Sequence, residues 1–103
     1  MKYGLTAQTI QAINQVFAKY IDVKSVILYG SRAKGNYHNG SDIDLTIDGE
    51  HISLITLHKI EHELDELLLP YKIDLSILKH IQNNDLLEHI KRVGKIYYQK
   101  VDL

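Results

Sequence analysis

The chain has 103 residues, of which 45% are apolar and 24% charged, and it carries no cysteine. That is ordinary globular composition with enough length for a single core, and it excludes a disulfide frame, a thiolate zinc site and a cysteine nucleophile. A net charge of −1, from 12 Lys plus Arg against 13 Asp plus Glu, argues against the basic face that a binder of long nucleic acid uses to neutralise phosphates.

No apolar run reaches the roughly 18–20 residues that cross a bilayer. The opening "MKYGLTAQTIQ" lacks the apolar stretch of a secretory signal. These features point to a cytoplasmic protein with no membrane partner, folded as one domain over residues 1–103.

The first periodic segment is "TAQTIQAINQVFAKYI". Ile10, Ile13, Phe17 and Ile21 recur at helical steps, which predicts an amphipathic helix capped by Thr6. "VKSVILYG" reads as a buried strand ended by Gly30. The loop after it has flexible points at Gly30, Gly35 and Gly40 and contains "SRAKG", a candidate short helix. "DIDLTID" alternates strictly, with Ile43, Leu45 and Ile47 on one face and Asp42, Asp44, Thr46 and Asp48 on the other.

"SLITLHKIEHELDELLL" returns to a helical period through Leu57, Ile60, Leu64 and Leu67 or Leu68, with Pro70 as its stop. "YKIDLSIL" is a third strand, with Ile73, Leu75 and Ile77 inward and Asp74 and Ser76 opposite. "NNDLLEHIKRVG" predicts a final helix capped at Asn83 or Asn84 and ended at Gly94. "KIYYQK" is either an edge strand or an extended tail. The basic cluster Lys91, Arg92, Lys95 and Lys100 reads as a solvated helix end favoured by the macrodipole. The expected class is α/β (α+β), a small mixed sheet flanked by helices. The strand after the glycine loop pairs antiparallel with its predecessor, and the strand after the long helix returns parallel.

Asp42 and Asp44 stand two strand positions apart, so their backbones lie about 7 Å from each other with both carboxylates on one side. Like charges so placed repel unless water or a cation screens them. Magnesium takes oxygen ligands, and a pair of such ions in a phosphoryl-transfer site is well served by this spacing. Asp74 strengthens the case, because a polar residue amid "KIDLSIL" is costly unless it faces solvent or a ligand. The strand pattern alone fits a solvated sheet face equally well. Ser31 offers a hydroxyl and an amide where an anion binds, and Arg32 or Lys34 offsets phosphate charge.

Taken together, "GSRAKG…SDIDL", with ten residues between Ser31 and Asp42, and "KIDLSIL" resemble the nucleotidyltransferase superfamily that includes DNA polymerase β. The order of elements resembles most closely its minimal nucleotidyltransferase (MNT) branch, over nearly the whole chain. The resemblance implies the nucleotidyltransferase fold and an enzyme that moves AMP from ATP to a hydroxyl. Two Mg²⁺ ions, with Mn²⁺ as an alternative, would be held by Asp42, Asp44 and Asp74, the three catalytic residues. Asp74 would also help activate the incoming hydroxyl.

Gly30, Ser31, Arg32 and Ser41 would form the nucleotide-binding set. The family also implies a partner: a helical HEPN-family toxin, with the MNT protein as antitoxin adenylylating a tyrosine on it. Two departures from the family pattern are Lys34, where an arginine is commoner, and "HNGS" in place of a proline-containing turn. A non-catalytic nucleotide-binding or regulatory subunit that inhibits a helical partner is the alternative, and self-association stays open. "HKIEH", His58 to His62, has an inverted-zincin spacing but reads as a chance match on a helix needed to cover the sheet. His38 reads as a solvated loop side chain.

Overall fold

The computed structural model describes residues 1–101; the last two residues of the expected domain lie outside the described residues. Helix α1, Ala7–Ala18, starts where Thr6 accepts a hydrogen bond from the Thr9 amide. It turns Ile13, Val16 and Phe17 into the core. It ends before Ile21, which is 84% exposed, so the predicted helical face stops one step short. Strand β1, Ser25–Tyr29, is buried almost throughout and runs directly into the short helix α2, Gly30–Lys34.

Strand β2, Ile43–Asp48, pairs antiparallel with β1, and strand β3, Ile73–Ile77, pairs parallel with β2. The crossover between β2 and β3 is helix α3, Leu54–Asp65, capped by the Ser53 side chain. It ends ahead of Pro70 because the chain turns at Leu68, whose φ is 54°. Leu68 is 88% exposed, which leaves Leu67 to the core. Helix α4, Asn84–Val93, takes its cap from Asn83 and stops at Gly94. The segment read as strand or tail is edge strand β4, Lys95–Gln99, antiparallel to β1. The sheet order is β3-β2-β1-β4, the small mixed sheet expected.

The two sheet faces have different cover. One carries Val26, Leu28, Ile43, Leu45, Ile47, Leu75 and Ile77 against Ile13, Val16 and Phe17 of α1 and Ile60 and Leu64 of α3, forming the main core. The opposite face carries Ile27, Tyr29, Asp44, Thr46, Asp74 and Ser76. Helix α4 packs on β1 here, and Thr46 is fully buried with the Ser76 hydroxyl donating to it at 2.9 Å. This polar face is therefore closed along its middle and open at the end where the aspartates stand.

Candidate active site

Register brings the acids together. Asp44 on β2 lies opposite Asp74 on β3 in the parallel ladder, and opposite Tyr29 on its other side. Neighbouring strands run about 4.8 Å apart, so two carboxylates project from adjacent positions of one face. Asp42 sits two residues before Asp44, just ahead of β2, near enough for its charge to act on Asp44. Asp42 and Asp74 are exposed while Asp44 is half-buried.

Burial raises the Asp44 pKa above the ordinary carboxylate value, and the charges of Asp74 and Asp42 raise it further. The cation of Lys72, and that of His89 when its ring is protonated, act in the opposite direction. Tyr29 is raised as well, first by burial and then by Asp74 and Asp44, with a hydrogen bond to Ser76 opposing. Asp44 thus feels the charges of both other acids through space.

The donor set is all oxygen, which suits a hard cation such as Mg²⁺. The mutual repulsion at Asp44 is what a divalent ion would relieve. Among the described residues no three acidic or imidazole groups close into a formed metal cage.

Gly30 shapes the approach to Asp44. Its φ is +75°, a conformation that L side chains rarely adopt. A Cβ at this position would sit 3.1 Å from Asp44 Cγ and closer still to its Oδ2. Only glycine lets the strand-to-helix turn rest against this carboxylate. Ser31 follows in the first turn of α2, partly exposed. The turn is closed at its far end by Gly35, whose amide donates to the Ser31 carbonyl at 2.8 Å.

Arg32 departs from the expected phosphate contact. It is only 2% exposed. Its Nη1 donates to the Tyr3 carbonyl at 2.9 Å, and its Nη2 donates to those of Asn39 at 3.2 Å and Ser41 at 2.8 Å. Nε adds a second bond to Ser41 at 3.1 Å. The rings of Tyr37 and Tyr71 flank the guanidinium at 5.3 and 4.8 Å. These bonds engage four of the five N–H groups a guanidinium carries. Its cation is spent on holding the loop, and through Ser41 it fixes the residue before Asp42.

The Ser41 hydroxyl is likewise engaged within the loop, accepting from the His38 amide at 2.8 Å. In α3, His62 pairs with Glu66 at 2.8 Å.

His89 was absent from the residues singled out in the sequence. From α4, its Nε2 accepts a hydrogen bond from the Gly30 amide at 3.0 Å. Its ring meets Tyr29 edge-on, with centroids 6.1 Å apart at 80°. The only signal in the sequence was a histidine one position before buried Ile90 on an amphipathic helix, which reads as helix surface.

The family model described as "Polymerase beta, Nucleotidyltransferase" matches residues 11–102. Two proteins of Methanocaldococcus jannaschii, MJ0126 and MJ1217, each named a putative protein adenylyltransferase, are 34% identical over 84 residues. Those alignments cover 74% of this chain and 85% of each relative. A toxin–antitoxin structure with AMP-PNP superposes with a TM-score of 0.69 at 21% identity, covering 93% of this chain and 75% of that one. A tri-AMPylated Shewanella oneidensis HEPN toxin in complex with MNT antitoxin gives 0.65 at 17%, covering 90% and 71%. The two structural likenesses speak for the fold. With a family model matched over nearly the whole chain and relatives at 34% identity, this protein belongs to the polymerase beta nucleotidyltransferase family.

Proposed function

We propose that the chain is an adenylyltransferase of the MNT branch, moving AMP from ATP to a hydroxyl as the bond from Pα to the β-phosphate breaks and pyrophosphate leaves, and that Asp42, Asp44 and Asp74 are its catalytic residues. The observation that carries this reading is the Asp44–Asp74 pairing across parallel strands, with Asp42 near enough to act on Asp44 and Gly30 pressed against it. Asp42 and Asp44 would hold two Mg²⁺ ions, with Asp74 sharing one of them. When bound, Mg²⁺ (or Mn²⁺) neutralises charge on the triphosphate and lowers the pKa of an attached hydroxyl. The chain's own part is positioning. Gly30 and Ser31 present the turn to the triphosphate, and Ser31 offers its hydroxyl to a phosphate oxygen.

Asp74, exposed on the outer strand of the sheet, would accept the proton of the incoming hydroxyl. Arg32 and Ser41 support the nucleotide loop from within, since their polar groups are already committed to it.

The acceptor in this reading is a tyrosine of a HEPN-family toxin, which makes the chain an antitoxin that acts by modification. The names of the relatives and the AMPylated complex support it. Co-purification from the native host, followed by mass spectrometry of the partner, is the test. A HEPN partner carrying AMP on tyrosine is expected, with the modification lost in Asp42→Asn and Asp44→Asn. A partner bound yet never modified by the intact protein would leave a regulatory subunit instead.

A further inference from the structure

The Gly30 amide opens α2 at the point where β1 ends, and its partner comes from a helix 59 residues further along the chain. Among the described residues, the His89–Gly30 bond is the only hydrogen bond joining the α4 side chains to the rest of the site. An Nε2 that accepts cannot carry a hydrogen, so the neutral ring keeps its proton on Nδ1. The same imidazole lies edge-on to Tyr29, the residue opposite Asp44. His89 thus grips the turn from one side, while the Asp44 carboxylate limits it from the other. Between the two stands Gly30, with a positive φ and no side chain of its own to anchor it.

We propose that His89 is a positioning residue for the nucleotide loop: by holding the Gly30 amide it fixes the distance between the Ser31 hydroxyl and Asp44. This inference rests on the adenylyltransferase reading for its consequence in catalysis, but not for the bond itself. Helix α4 then serves as more than cover for the sheet, because its one inward imidazole sets where the phosphate turn stands.

Two substitutions separate this role from simple packing. His89→Leu keeps bulk and removes the acceptor, while His89→Gln returns an amide oxygen that can accept from Gly30. In the nucleotide-free protein, ¹⁵N NMR is expected to find the His89 ring protonated at Nδ1 at a pH where it is neutral. The Gly30 amide should exchange slowly with solvent in the wild type and the Gln variant, and faster in the Leu variant. With Mg²⁺ and ATP, kcat should fall about tenfold to a hundredfold in the Leu variant at a temperature where it is fully folded. KM should change less, and Gln should restore kcat to within a few-fold of the wild type.

A ring protonated at Nε2, or a Gly30 amide that exchanges alike in the wild type and the Leu variant, overturns the proposal. Equal kcat in the wild type and Leu variant overturns it too, since a packing role would lower the melting temperature and leave the folded enzyme's turnover intact. Should the wild type transfer no AMP to any acceptor, the adenylyltransferase reading fails, and the NMR measurements alone decide the role of His89.

Discussion

Replacing Gly30 with alanine tests the site at its tightest point, and Gly35→Ala supplies the matched control. Both glycines have positive φ, +75° and +92°, so each alanine pays about 1–2 kcal/mol for the left-handed conformation. They differ in what surrounds them. At Gly35 a new Cβ meets nothing within 4 Å, whereas at Gly30 it falls 3.1 Å from Asp44 Cγ and 3.5 Å from Asp44 Cβ, with Oδ2 nearer still.

The Asp44 carboxylate would have to swing away, or the turn would have to lift off the sheet. A displacement near 1 Å at a reacting centre lowers a rate by about a hundredfold. Melting curves should therefore fall for both variants, by roughly 4–8 °C per kcal/mol for a domain of this size. AMP transfer from labelled ATP should drop at least about a hundredfold only in Gly30→Ala. Wild-type transfer in Gly30→Ala, or an equal loss in Gly35→Ala, would refute the steric argument.

Arg32→Ala should cost about 3 kcal/mol or more in urea unfolding, because a buried side chain is removed and three carbonyls lose a charged donor at once; Lys34→Ala, at an exposed position, should stay within about 0.5 kcal/mol. Arg32→Lys should not restore stability, since an ammonium cannot span the carbonyls of Tyr3, Asn39 and Ser41. Asp44 gives a pH prediction. Its folded pKa is raised above the unfolded value of 3.8 by burial and by Asp74 and Asp42, so the folded state binds that proton more tightly. The contribution of this group to stability is then greatest below the unfolded pKa and declines as pH rises through the raised folded one. Asp44→Asn should accordingly melt higher than the wild type at neutral pH without divalent ions, and millimolar Mg²⁺ should raise the wild-type melting temperature but not the variant's. Identical melting temperatures in chelator would count against repulsion at this position.

Much of the fold was legible because periodicity carried it. The alternation in "DIDLTID" and "KIDLSIL" assigned the two faces, and the long helix between them made the parallel return the simplest connection. The aspartates could be grouped for the same reason, since register follows from which residues must be buried. The burial of Arg32 is not legible in the sequence, because its partners are main-chain oxygens, one of them at Tyr3. No spacing rule says that an arginine will fold back onto the N-terminal turn.

Ile21 looked like core on helical spacing, but α1 stops at Ala18 and the period no longer applies. His89 escaped notice because its one polar contact is with an amide far away in sequence. The hydrogen bond between buried Thr46 and half-buried Ser76 was also invisible, because tertiary packing decides how much of a polar face is sealed.

Every hydrogen bond that Arg32 makes ends on a peptide oxygen, and all residue types supply that acceptor. One guanidinium therefore dictates the course of the segment from Asn39 to Ser41 while remaining indifferent to the identity of Asn39. Such a scaffold lets the exposed Asn39 side chain vary without disturbing the Ser41 carbonyl that precedes Asp42.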